Sequence, residues 1–163
     1  MTPARPQRKL SLALLLGLTL CAGICAPPRL RAVENPVVVN PNTGLAISGF
    51  DPVAYFTDGK PQFGRPDLEL RVDGAVWRFV NEGNRAAFKD HPEVYTPRFG
   101  GYDPVAITRD NSVAGHPQIW AVAGERLYFF YSDEARAAFL ADPGRYIAAA
   151  MRKWPAVART IAR

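Results

Sequence analysis

Three observations predict an α+β fold built from two pseudo-symmetric ββα units packed as one small domain. The phrase GFDPVAYF at residues 49–56 returns as GYDPVAIT at 101–108. Each copy is followed by two short β-prone segments around a turn, and each pair of segments by a capped amphipathic helix. Matching positions stay offset by 50 to 52 residues throughout. A lone hairpin does not hold in water, so each unit needs the other to complete a core.

The first element in chain order is an export segment. Arg5, Arg8 and Lys9 precede LSLALLLGLTLCAGICA, which has the length and the small terminal residues of a signal peptide or N-terminal anchor over 1–26. The chain is therefore expected to be exported, periplasmic or secreted. Pro27 disfavours cleavage directly after Ala26, which points to a site nearer Ala32 or an uncleaved tether. A lipoprotein would need a small residue before Cys21 or Cys25, where the sequence has Leu20 and Ile24.

Setting that segment aside changes what composition implies. The whole chain carries a formal charge of +5, but residues 1–26 hold three of its cations and none of its acids, which leaves +2 on residues 27–163. The remaining Arg residues are dispersed, so no nucleic-acid partner is expected. Both cysteines lie in the apolar run, which removes disulfides and thiolate chemistry from the folded part. Membrane contact is expected only through the N-terminal segment, if it stays uncleaved.

Residues 27–43 are rich in Pro and Asn and read as a linker, with Val37–Val39 as a short edge strand. The domain is expected over 44–155, with repeat one at 49–95 and repeat two at 101–146. In each repeat an Asp-Pro pair, Asp51-Pro52 or Asp103-Pro104, starts a turn. Strands come next around Leu68–Val72 and Ile119–Val122, with tight turns at Asp73-Gly74 and Ala123-Gly124 leading to AVWRFV and RLYFFY. Asn81 and Ser132 are N-caps, and Glu82, Asp133 and Glu134 favour the helix dipole. Asn84, Ala87 and Phe88 match Ala135, Ala138 and Phe139 as inward stripes. His91-Pro92 and Asp142-Pro143 end the helices, and Tyr95 and Tyr146 act as anchors just beyond them. Ile147, Met151 and Trp154 extend a C-terminal helix that Pro155 is expected to break, leaving 156–163 as a frayed tail.

The run Phe130, Tyr131, Ser132, Phe139, Asp142, Pro143, Tyr146, with GLAISGFDPVAYF before it and Trp154-Pro155 after it, resembles the exported branch of the YHS domain family. The likeness covers about residues 44–155. It implies a small binding or accessory module, in a family where some members hold metal through cysteines. Those cysteine positions correspond here to Ala54 and Ala106, to Val80 and Asn84, and to Tyr131 and Ala135, so the inferred ligands are vacant.

The chemistry-bearing residues are few. His91 and His116 are the only histidines, and a metal site needs three or four donors. His116 with Asp103 is the best metal candidate, while His91 suits a helix C-terminus. Asp51 and Asp103 would form an acid–base pair if the units brought them together; otherwise both are turn formers. Tyr55, Tyr102 and Trp120, beside the Asp-Pro turns, complete a candidate ligand set with Asp51, Asp103 and His116. The aromatic set Trp77, Phe79, Trp120, Tyr128, Phe129, Phe130 and Tyr131 makes both faces of the 126–131 strand apolar, which fits a ligand groove or a strand covered on both sides. No nucleophile elbow, phosphate loop, HExxH or dinucleotide fingerprint is present.

The expectation is an exported, non-catalytic YHS-like module. Its ligand or protein partner is unspecified, and metal or haem handling is a minor role. The competing readings are a small enzyme using Asp51, Asp103 and His116, and a purely structural interaction domain.

Overall fold

The computed structural model describes residues 36–161. The export segment expected at 1–26 and the first part of the linker lie outside the described residues. The fold is a small α+β domain. A 3-10 turn at Ile47–Gly49 leads to α1 (Ala54–Thr57), the hairpin β1 (Arg65–Val72) and β2 (Ala75–Phe79), α2 (Glu82–Asp90) and α3 (Pro92–Tyr95). A second 3-10 turn at Arg98–Gly101 leads to α4 (Pro104–Ile107), the hairpin β3 (His116–Ala123) and β4 (Arg126–Phe130), α5 (Asp133–Ala141) and α6 (Pro143–Ile161).

Each hairpin is an antiparallel two-stranded sheet, β1 with β2 and β3 with β4. The first turn places Asp73 and Gly74 at φ 49° and 79°, the doubly left-handed pair that a two-residue hairpin favours. The second turn sits one residue later than expected. Its left-handed residues are Gly124 and Glu125, at φ 54° and 57°, and Ala123 completes β3 instead. Both hairpins are irregular at the same place, between Arg65 and Glu69 and between His116 and Trp120. Just ahead of each irregularity a glycine packs against the partner strand, Gly64 on Arg78 and Phe79, and Gly115 on Phe129.

The helices start where the caps predict. Asn81 accepts from the Asn84 N–H at 2.8 Å and Ser132 from the Ala135 N–H at 3.2 Å. Asn84 and Phe88 are the buried residues of α2, and Phe139 is that of α5. Pro92 and Pro143 then open new helices at the position where a missing N–H costs nothing.

Two hydrophobic clusters share one strand. Leu127 and Phe129 of β4 pack with Phe50, Val53, Tyr55, Trp77, Phe79 and Phe88. Tyr128 and Phe130, on the opposite face, pack with Phe99, Ile107, Phe139, Ala150, Trp154 and Val157. Successive strand residues point to opposite faces, so a strand apolar on both faces is a wall between two cores. The apolar faces of 127–130 thus go to packing rather than to a groove, while Tyr131 just beyond is exposed. β2 differs, because its buried residues Ala75, Trp77 and Phe79 alternate with the half-buried Val76 and Arg78.

The domain extends past 44–155 at both ends. Val38 donates to the Gly100 carbonyl at 2.8 Å, and Ile47 donates to the Val38 carbonyl at 3.1 Å. Val37 packs on the first cluster, and Val39 makes an isolated bridge to Ala46 rather than a strand. At the other end α6 runs through Pro155 to Ile161. The proline is exposed, while Val157 and Ala158 beyond it are buried in the second cluster. That burial offsets the hydrogen bond Pro155 cannot make, so the expected break and frayed tail give way to a continuous 19-residue helix.

Candidate functional site

The two Asp-Pro turns are the most densely bonded polar features of the described chain. Asp51 is fully buried. Its Oδ1 accepts from the Val53 and Ala54 N–H groups at 2.8 and 3.4 Å. Its Oδ2 accepts from the Val80 N–H at 2.9 Å and from the Asn84 side-chain amide at 2.7 Å. One carboxylate therefore fixes the turn into α1, the end of β2 and the first turn of α2. Asp103 does the same in the second half. Oδ1 takes the Val105 and Ala106 N–H groups at 2.7 and 3.3 Å, and Oδ2 takes the Tyr131 N–H at 2.9 Å. Asn84 has no counterpart there, since the matching position is Ala135.

The backbone around each turn is matched too. Asp51 N–H donates to the Gln62 carbonyl and Gly64 N–H to Gly49, while Asp103 N–H donates to Val113 and Gly115 N–H to Gly101. Each turn is thus clamped from its backbone and from its side chain. Asp51, accepting from four donors, has its lone pairs filled, Asp103 accepts from three, and these donors would be left unpaired if either carboxylate moved.

Tyr55 joins the halves. Its hydroxyl donates to the Pro117 carbonyl at 2.9 Å, and its ring meets Trp120 edge-on at 5.2 Å and Phe129 at 5.3 Å. Burial, and secondarily the nearby Asp51 charge, hold its hydroxyl far above the ordinary tyrosine pKa. Tyr102 is half-buried against the Trp154 ring at 5.8 Å, and burial raises its pKa as well. Trp120 is half-buried at the fringe of the first cluster. His116 is exposed at the start of β3, where Nδ1 accepts from the Gln118 N–H at 3.2 Å.

Of the six candidates, Tyr55 and Trp120 meet directly, Pro117 brings the His116 end of β3 onto Tyr55, and Tyr102 belongs to the other cluster. Asp51 and Asp103 each bond within their own half. No group of three or more His, Cys, Asp or Glu side chains able to hold a metal occurs among the described residues. His91 is exposed near Glu93, with Nδ1 3.6 Å from its carboxylate.

Two features escaped sequence reasoning. Asn84, read as part of an inward stripe, is a partner of Asp51; its signal was a polar residue on a face where the second helix has Ala135. An open cleft of about 330 Å³ between β1 and α2 is lined by Glu69, Leu70, Glu82, Arg85, Ala86 and Lys89. Arg85 pairs there with Glu82 at 2.6 Å and Glu69 with Arg78 at 2.8 Å.

The Tyr55 bond gives a pH signature. An elevated native pKa means the unfolded chain loses its phenolic proton first, so the native state binds more protons above the ordinary value of about 10 and stability falls as pH rises beyond it. Tyr55→Phe is expected to cost about 1–2 kcal/mol at neutral pH through the orphaned Pro117 carbonyl. It should also flatten the alkaline decline, leaving the smaller share due to Tyr102 and Tyr128, whose hydroxyls burial also holds above the ordinary value. Urea midpoints recorded from pH 8 to 11 (about the range that brackets the phenol) check both; an unchanged alkaline slope would count against the buried bond.

Comparison with family models, with curated proteins and with solved structures finds no match to this chain.

Proposed function

We propose that the chain is an exported, non-catalytic binding or accessory module of YHS type, built from two copies of one ββα unit. The observation that carries this reading is the use of its carboxylates: both oxygens of Asp51 and of Asp103 accept from donors of the fold itself. Acid–base chemistry needs a group free to take and return a proton, and these two are structural instead. The twofold recurrence of the Asp-Pro clamp, the packed glycine and the helix cap supports descent of both halves from one unit. Partner contacts then fall to exposed side chains, among them Phe63 stacked on Phe50 at 4.0 Å and Tyr131.

The test is a thermal-melt series on the exported chain with copper, zinc, haem and a small-molecule panel, together with elemental mass spectrometry. A ligand of the native state stabilises by about 2.7 kcal/mol at a hundredfold excess over Kd. His116→Ala, at an exposed position, should leave the fold and any such gain intact. A near-stoichiometric metal lost in that variant would make the protein a metal handler. Substrate turnover lost in it would overturn the non-catalytic reading.

A further inference from the structure

The longest helix carries a surface of one sign. α6 contains Arg145, Arg152, Lys153 and Arg159 and no acidic residue. Lys153 turns aside to Asp110 at 2.5 Å. Arg145, Arg152 and Arg159 are all exposed and none forms an ion pair among the described residues. They stand seven residues apart, which is a drift of about 20° per step on a straight helix, so they form one row along its outer side. Exposed Ala148, Met151 and Ala156 lie between them. On the inner side, Ala150, Trp154, Val157 and Ala158 are buried, so the row faces solvent by construction.

Where this helix sits matters as much as its charge. Trp154 packs edge-on against Phe99 at 5.6 Å. The next residue, Gly100, is where the N-terminal stretch of chain enters the fold: its carbonyl accepts from Val38, and the Pro36 backbone lies so close that a side chain on Gly100 would collide with it. Pro36 comes ten residues after Ala26, where the apolar run ends, a reach of at most about 35 Å. Membrane association of that run would therefore keep the point where the chain enters the fold within about that reach of the membrane.

We propose that the outer face of α6 docks on an anionic phospholipid surface, through Arg145, Arg152 and Arg159. This rests on the export reading for its occasion but not for its chemistry. A basic helical row with small apolar residues between its cations matches a headgroup layer in charge and profile. Three arginines are too few for stable anchoring alone, and a short tether supplies the high local concentration that makes weak contacts count.

The experiment is co-sedimentation of the exported chain with phosphatidylcholine vesicles and with vesicles of phosphatidylcholine and phosphatidylglycerol in equal parts. Binding to the neutral vesicles reports apolar insertion of the N-terminal segment. Arg5, Arg8 and Lys9 of that segment also favour the anionic vesicles, so α6 is reported by the part of the anionic excess that its arginines supply. Each arginine contributes about fivefold near an anionic surface, so that part should be about a hundredfold at low salt and collapse at high salt. The triple variant R145Q/R152Q/R159Q should lose it and keep any neutral binding, and the triple Lys variant should retain it. Equal partition of the wild-type chain on both vesicles, or an excess undiminished in a folded triple Gln variant, overturns the proposal. A preference for soluble nucleic acid without any anionic-vesicle excess overturns it too. Loss of neutral binding alone would instead count against the tether.

Discussion

Asp51→Ala is expected to lower stability by about 4 kcal/mol, and Asp103→Ala by about 3 kcal/mol. Each deletion leaves buried and half-buried donors facing an empty pocket: the Val53, Ala54 and Val80 N–H groups and the Asn84 amide in the first case, three backbone N–H groups in the second. An unpaired buried donor costs about 1–3 kcal/mol, and removing the desolvated charge returns part of that sum. Against a typical total of about 5–15 kcal/mol, either loss threatens the native state at ordinary temperature. The order of the two is the sharper expectation, because only Asp51 has the Asn84 amide. Asn84→Ala should accordingly narrow the gap between them. Denaturant midpoints by circular dichroism measure all of this, and a cost below about 1 kcal/mol for Asp51→Ala would show the carboxylate to be peripheral.

That clamp also marks how far the sequence was legible. An Asp before a Pro, twice, predicts an Asx turn from local chemistry alone, and the structure has Oδ1 bonded two and three residues on. The partners of Oδ2 lie 29 and 28 residues away at Val80 and Tyr131. No local pattern encodes that reach, since it depends on how the hairpin returns over the turn. The α+β class, the hairpins, the caps and the inward Phe88 and Phe139 were readable because each depends on neighbours within one turn or one strand.

The departures share a physical cause, the override of a local rule by burial. Trp154, Val157, Ala158 and Ile161 continue a helical spacing straight through Pro155, and the pattern was there to be read. The general rule that proline ends a helix took precedence, yet the apolar surface gained beyond the proline holds the helix together. Residues 36–39 look like linker by composition, and they are held by Ile47 close in sequence and by Gly100 far along the chain. The strand 126–130 offered two interpretations, since a strand between two cores and a strand lining a groove have the same composition. Only the placement of Leu127 and Phe129 in one cluster and Tyr128 and Phe130 in the other separates them.

The same strand sets the second large effect. Gly115→Ala should cost more than about 3 kcal/mol, a large share of the roughly 5–15 kcal/mol of a chain of ordinary stability. A Cβ there would lie 2.5 Å from Phe129 Cβ and 2.6 Å from Phe129 carbonyl carbon, and backbone cannot give way as a flexible side-chain tip can. Nor can β4 retreat, because both its faces are packed and a shift would open one core while compressing the other. Gly64→Ala meets the backbone of Arg78 and Phe79 in the equivalent place, but β2 has a half-buried outer face and room to move, so its cost should be smaller. Gly83 provides the contrast. It lies near the start of α2, exposed, with only the Asn81 side chain within 3.2 Å of a new Cβ, so Gly83→Ala should be neutral or stabilising by up to about 1 kcal/mol through helix propensity. Melting temperatures of the three alanine variants should therefore rank Gly83, Gly64, Gly115 from highest to lowest. A Gly115→Ala protein as stable as Gly64→Ala would mean that β4 yields as easily as β2, and so is not the packed wall between two cores.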